Sequence, residues 1–180
     1  MRNIEFAKEI IKNNIDIFRC PICKGHMLIK DNSLLCANNH CFDLSRNGYI
    51  NLLTNNIHSK YDRQLFVSRR LILQTGLFQK MIEEISKIIL EINKNIEIAD
   101  LRILDAGCGE GSNLVEISEN IDNQLKNNCT GIGIDISKEG IRIASRTYTG
   151  FIWSIADIAA IPCNDNKCDC IVNILSPANY

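Results

Sequence analysis

The sequence predicts an α/β protein in two parts: a small metal-stabilised module near the N-terminus, then a parallel, doubly wound sheet. Two observations carry this reading. Four metal-type ligands fall in two close pairs, Cys20 with Cys23 and Cys36 with His40, within one short stretch. From Leu101 onward, short apolar runs alternate with helical patterns, and the first run ends in a glycine-rich turn, DAGCGEG (105–111).

The bulk composition fits a globular chain, with 46% of the 180 residues hydrophobic and 23% charged. Basic and acidic residues nearly balance, 20 against 21. A nucleic-acid partner must therefore be argued from local features, not from net charge. No apolar run reaches the roughly 18 residues needed to cross a bilayer. The N-terminal stretch mixes charges among its apolar residues, unlike a secretory signal. The expected compartment is the cytoplasm.

Along the chain, Ile4, Ala7, Ile10, Ile11 and Ile15 share one helical face, which predicts an amphipathic helix within residues 1–17. Residues 18–53 form the cysteine-rich unit, and 54–60 (TNNIHSK) read as a polar linker. Two helices complete the 54–100 segment. The first runs from an N-cap at Asp62 to Gln74, with Gly76 as its stop. The second starts near Phe78, and Met81, Ile82, Ile85, Ile88, Ile89 and Ile92 give it a buried stripe. Residues 101–180 then read as the first half of a Rossmann-like domain. Its strands are expected at 101–106, 131–137, 151–155 and 168–175, with helices at 112–120 and 138–146.

Nine cysteines at uneven spacing favour metal ligands plus buried thiols over a disulfide framework in a reducing compartment. Zinc takes four soft or borderline ligands in a tetrahedron, and two close pairs on two tight turns supply that geometry. Pro21 and Gly25 suit the first turn, and residues 27–35 can form the hairpin that joins the pairs. Cys41 adjoins His40 and is an alternative fourth ligand. His26 reads as a solvated turn residue. Nothing suggests an open coordination position, so the zinc is expected to be structural. It would supply folding energy that a core of ~35 residues does not. Cys108, Cys129, Cys163, Cys168 and Cys170 read as buried or incidental thiols.

The glycines of the turn, Gly107, Gly109 and Gly111, allow close approach of backbone to a ligand. Asp105 ends the first strand of the sheet. Asp135 ends the second, where an acid can accept hydrogen bonds from ribose hydroxyls. Asp157 follows the third strand, near the expected adenine position. A nicotinamide dinucleotide is the rival ligand, but its fingerprint is G-x-G-x-x-G, and here the third glycine falls one place early. An acid ahead of the glycines suits S-adenosylmethionine, whose sulfonium and amino-acid end have no pyrophosphate to seat.

With both motifs placed, the chain resembles the RlmA family of 23S ribosomal RNA guanine-N1-methyltransferases. The matching stretches are FRCPIC, the C-x3-H that runs into FDL, NGYINLL (47–53), SRRLILQTGLF (68–78), LDAGCGEG (104–111), GIDIS (133–137) and NILSPAN (173–179). YDRQLF (61–66) looks closer to Gram-positive members. The resemblance implies a zinc-ribbon-like module ahead of a class I S-adenosylmethionine methyltransferase domain. It implies zinc on Cys20, Cys23, Cys36 and His40, and a cofactor pocket at Gly107, Gly109 and Asp135, beside Asp105. It also implies recognition of a ribosomal RNA hairpin by the zinc module, transfer to N1 of one guanine, and a homodimer in some members.

Asn173 and Ser176 occupy the end of the fourth strand, where amino-methyltransferases grip the target base, and are candidates for that contact. Arg69 and Arg70 are candidates for phosphate contact, set against a solvated face or an internal ion pair. Lys24, Lys30 and Arg46 are a weaker basic set on the zinc module, and Trp153 reads as core. Only four strands of a sheet that normally has seven are present, so the domain is expected to be incomplete at its C-terminus. The reading from a different class is a non-catalytic, zinc-dependent RNA-binding protein with a vestigial nucleotide fold.

Overall fold

The structure, a computed structural model, describes residues 3–55, 61–94, 100–124 and 128–176. Helix α1 (Asn3–Asn13) buries Ile4, Ala7 and Ile11, the face read from the sequence, and a 3-10 turn (Ile15–Ile17) follows it. Strands β1 (Met27–Lys30), β2 (Ser33–Cys36) and β3 (Cys41–Asp43) make an antiparallel sheet in that order. The β1–β2 hairpin pairs Met27 with Cys36 and Lys30 with Ser33. Asp31 takes a left-handed φ of 53° at its tip, a conformation that a short polar side chain tolerates.

Strand β4 (Tyr49–Asn51) departs from expectation. Sequence reasoning places the NGYINLL segment at the end of the cysteine-rich unit. In the structure it leaves the small sheet and pairs in parallel with β7 (Ile152–Ile155), Tyr49 opposite Trp153. The reason is burial: Ile50 is fully enclosed once the two parts meet. Its partner lies about a hundred residues away, so no local pattern announces the pairing.

Helix α2 (Arg63–Gln74) starts as expected, with the Leu65 amide donating to Asp62 Oδ1 at 2.9 Å. Helix α3 (Gln79–Asn93) buries Ile82, Ser86 and Ile89. Then come β5 (Asp100–Ala106), α4 (Ser112–Asp122), β6 (Asn128–Asp135), α5 (Lys138–Thr147), β7 and β8 (Cys170–Val172). The fourth expected strand, 168–175, shortens to three residues. All five strands of the main sheet run parallel, in the order β4-β7-β6-β5-β8. Among the described residues, no helix is long and apolar enough to cross a membrane.

Strand alternation divides the core in two. Leu101 and Ile103 of β5 and Trp153 of β7 face helices α3, α4 and α5. Leu104, Ile132, Ile134 and Ile152 face the other way, onto α1, Phe18 and the cysteine-rich unit. The zinc module is thus one cover of the sheet, not a separate bead on a linker. The bridge Phe18–Cys163 and the bond from the Arg19 amide to Pro162 O (3.0 Å) stitch the same junction.

Gly131 and Gly133 of β6 are required by packing. A Cβ on Gly131 would lie 2.5 Å from Phe151 Cδ1, and one on Gly133 would overlap the Trp153 ring. Trp153 is 1% exposed, and its Nε1 donates to Tyr148 O at 3.0 Å. It is core, as read.

Candidate metal centre and cofactor cleft

Two backbone turns build the metal centre. In the first, the Cys20 amide donates to Gly25 O (2.9 Å) and the Lys24 amide to Cys20 O (2.8 Å). The left-handed residue is Lys24 (φ 61°) rather than the glycine beside it. In the second, the Cys36 amide donates to His40 O (3.1 Å) and the Asn39 amide to Cys36 O (2.9 Å), with Asn39 at φ 62°.

These turns bring the ligand atoms of Cys20, Cys23, Cys36 and His40 within 4.8 Å of one another. The Cys23 and Cys36 sulfurs are 3.6 Å apart, and His40 Nδ1 is 3.4 Å from both Cys20 and Cys36 Sγ. Ideal Zn–S and Zn–N bonds at tetrahedral angles give edges of roughly 3.8 Å and 3.6 Å. The four atoms therefore fit a zinc ion. The Gly25 amide, ahead of smaller effects from His40 and the other thiols, lowers the Cys23 thiol to about 6, which favours the thiolate that zinc binds. Cys41 is exposed and directed toward Asp43 (Sγ to Oδ1, 3.9 Å), outside the cluster. His26 is exposed and outside it as well.

The glycine turn sits at the C-terminal end of β5, the edge where open α/β sheets bind ligands. The amides of Gly107 and Cys108 both donate to Ile134 O, at 2.8 and 3.0 Å. Gly107, Gly109 and Gly111 have φ of 91°, 58° and 86°, so the turn needs their freedom. Asp135 fastens it: Oδ2 accepts from the Gly109 amide at 2.8 Å and Oδ1 from the Ser137 amide at 2.6 Å.

Asp105 is 1% exposed, and its Oδ1 has no hydrogen-bond partner among the described residues. Burial, then the charge of Asp135, push its carboxyl up to about 7, while the Arg69 guanidinium opposes the shift. Burial also raises the Asp135 and Glu110 carboxyls; amide bonds oppose the shift at both, and at Glu110 the Ser112 hydroxyl does too. Three acids crowding one glycine turn favour a cationic ligand.

Above the turn lies a cleft of about 250 Å³, bounded by Phe66 and Arg69 of α2, by Gly107 and Asp135, and by Leu175 and Ser176. Ser176 packs directly on Gly107, where a Cβ would clash with its Oγ. Asn173 is exposed beyond β8. Asp157 stands just past β7, where its Oδ1 accepts from the Ala159 amide at 2.9 Å and caps a 3-10 turn (Ile158–Ala160). Pro177 to Asn179 of the NILSPAN motif lie outside the described residues.

Sequence reasoning does not single out Phe66. It is 1% exposed, and with Arg69 it roofs the turn: both reach within 3.3 Å of a Cβ built on Gly109. The paired arginines separate. Arg69 turns inward toward the acids, whereas Arg70 stacks over the Tyr148 ring at 5.6 Å. Helical spacing from Asp62 would have placed Phe66 on the inward face, but nothing local says what that face meets.

Comparison with known proteins agrees with both halves. Residues 18–60 match the family model for the RlmA N-terminal zinc ribbon, and residues 98–178 match a methyltransferase domain model. A crystal structure from Methanococcus maripaludis, provisionally named an S-adenosyl-L-methionine-dependent methyltransferase, aligns with a TM-score of 0.50. That alignment is at 21% identity and covers 69% of this chain and 55% of that one. The fold and site define a class I methyltransferase fold carrying a zinc ribbon.

The ribbon matches the RlmA type, and nearly the whole chain is similar to proteins named as 23S rRNA guanine-N1-methyltransferases. YxjB of Bacillus subtilis (strain 168), provisionally named a 23S rRNA (guanine-N(1)-)-methyltransferase, is 39% identical over 175 residues, 94% of this chain and 61% of YxjB. The 23S rRNA (guanine(748)-N(1))-methyltransferase of Streptomyces fradiae is 26% identical over 93% of this chain and 58% of its own length. The chain spans about three-fifths of the length of the curated relatives it matches.

Proposed function

We propose that this chain binds S-adenosylmethionine over the 107–111 turn and serves methyl transfer to N1 of a guanine in 23S ribosomal RNA. The observation that carries the reading is the cleft itself: about 250 Å³ of space beside Gly107, walled by Asp135, with the buried Asp105, whose Oδ1 has no hydrogen-bond partner among the described residues, at the start of the same turn. Bound there, the cofactor would supply the methyl group on its sulfonium. Gly107 borders that space, while Gly109 meets Phe66 and Arg69 and Gly111 backs onto the Trp153 ring, so these two shape the turn rather than face the cofactor. Asp135 would accept from ribose hydroxyls, Asp157 would serve the adenine side, and Asp105 would add negative charge. Zinc on Cys20, Cys23, Cys36 and His40 is structural and holds the ribbon that helps to recognise an RNA hairpin.

Guanine N1 carries a proton at neutral pH and is a weak nucleophile. Much of the acceleration therefore comes from alignment. A paired guanine must first leave its stack. Ser176, which lines the cleft, and Asn173, exposed just past β8, are the proposed base contacts. Such a substrate places the protein in the cytoplasm, and the homodimer implied by the resemblance is open to a sedimentation measurement.

The deciding experiment is transfer of labelled methyl from S-adenosylmethionine to unmodified 23S RNA by this chain and by a version extended at its C-terminus. Label at guanine N1 is the expected result. A folded, zinc-loaded pair that neither methylates RNA nor binds S-adenosylhomocysteine in calorimetry would leave the non-catalytic RNA-binding reading in its place.

A further inference from the structure

Beyond the cofactor cleft, α2 forms one wall of a second and larger concavity. A groove of about 480 Å³ runs between α2 and α5. Arg63 and Arg70 enter it from α2, and Arg142 and Arg146 enter it from α5. Among the described residues that line it, Glu139 is the one acid, and it is engaged by Arg142 at 3.3 Å. No carboxylate among the described residues lies within ion-pair distance of Arg63, Arg70 or Arg146. In a chain with 20 basic and 21 acidic residues, four guanidiniums against one carboxylate in one groove is a local excess.

Two of these arginines are held in place. Arg70 lies over Tyr148 at 5.6 Å and donates from Nη1 to Thr147 Oγ1 at 3.3 Å. Its buried Nε has no hydrogen-bond partner among the described residues. Arg146 donates from Nε to Asn47 Oδ1 at 3.3 Å. Both are thus ordered by direct partners that are neutral, and neither makes an ion pair among the described residues, although Arg70 also feels the Glu110 charge at longer range. Ordered guanidinium forks suit phosphate, which they bind through two parallel hydrogen bonds. The aliphatic floor, Val67, Leu71 and Ile143, offers no competing charge.

We propose that the α2–α5 groove binds the phosphate backbone of the RNA substrate. This rests on the reading of the substrate as RNA. The placement follows from helix geometry. Arg63, Val67, Arg70 and Gln74 recur at three- and four-residue steps and share one side of α2. Phe66 and Arg69 lie on the side that roofs the cofactor turn. RNA in the groove therefore lies against the helix that covers the cofactor, with α2 as the common wall.

The test is fluorescence anisotropy of the zinc-loaded chain with a labelled hairpin transcript from unmodified 23S RNA, over a series of salt concentrations. The variant carries Arg63→Gln with Arg146→Gln, both at exposed positions, and its fold is checked by its thermal melt and its affinity for S-adenosylhomocysteine. Losing two phosphate contacts makes the slope of log K against log salt shallower by about 1.4 to 1.8. Affinity near 0.1 M salt falls roughly tenfold or more. Arg70→Lys keeps the charge and loses the fork, so its affinity falls with the slope unchanged.

A double variant that binds with the original affinity and slope overturns the groove alone. No binding by the unaltered chain overturns both the groove and the RNA reading. Displacement of the transcript by polyglutamate as readily as by unlabelled RNA assigns the groove to acidic protein and overturns the proposal.

Discussion

The Gly109 amide donates to Asp135 Oδ2 at 2.8 Å, so the residue that ends β6 holds the turn that follows β5. Its other oxygen accepts from Ser137 at 2.6 Å, at the start of α5. One carboxylate thus fixes the cofactor turn and the next helix together. Asp135→Asn keeps the shape but sets an amide N–H against one of these donors. Hydrogen bonds to charged groups contribute about 1.5–3 kcal/mol, so affinity for S-adenosylhomocysteine is expected to fall at least roughly tenfold in calorimetry. A variant that binds as tightly as the original would remove Asp135 from the site.

Stability should depend on pH through Asp105. Its carboxyl is raised from 3.8 to about 7 by burial and by the charge of Asp135. Between those values the folded chain keeps a proton that the unfolded chain releases. Stability therefore falls as pH rises from about 4 toward 7 and levels off above. Asp135 and Glu110 shift the same way and add to the slope. Thermal melts of the ligand-free chain from pH 5 to 8 should show this decline. Asp105→Asn should flatten it and raise the melting temperature at pH 8. A melting temperature that climbs with pH over this range would contradict the assignment.

Gly133 tests the packing beneath the turn. A Cβ there would overlap Trp153, lying 2.5 Å from Cε3 and 2.9 Å from Cys108 Sγ. Both neighbours are buried, and the indole is also bonded to Tyr148 O, so neither has free space to move into. Overpacking of this kind costs about 1–3 kcal/mol. Gly133→Ala should lower the melting temperature by several degrees, and adding Trp153→Phe should recover part of the loss. Equal melting temperatures for Gly133→Ala and the original would mean that the sheet yields more easily than these distances allow.

The sequence carried what is local and hid what is not. The N-cap at Asp62, the stripe on α1 and the paired ligands each depend on residues within a few positions, and each was legible. Glycines in β6 read only as part of a strand, because the rings they accommodate are Phe151, just before β7, and Trp153 within it. Arg69 and Arg70 looked alike, since their difference lies in what α2 faces: Arg69 acts on Asp105, Asp135 and Glu110, whereas Arg70 lies over Tyr148 and acts on Glu110 alone of these acids. The choice between His40 and Cys41 also needed three dimensions, because β3 turns the Cys41 side chain outward.

Zinc removal should unsettle more than the ribbon. Cys20 and Cys36 share a core with Leu104, Ile132, Ile134 and Ile152, which form the opposite face of the sheet that carries the cofactor turn. Structural zinc sites contribute on the order of 10 kcal/mol in isolated small domains, so losing the ion releases one cover of that sheet. Chelation, or His40→Ala, should remove one zinc per chain by elemental analysis and lower the melting temperature by roughly 10 °C or more, given about 2–4 °C per kcal/mol at this size. Cys41→Ser, outside the cluster, should retain the metal. The informative signal is near-ultraviolet circular dichroism of Trp153, which sits on the far side of the sheet. Loss of that signal together with the zinc is the expected coupling. A ribbon that melts alone, leaving the tryptophan signal and the main transition in place, would mean that the shared core is contact without cooperativity.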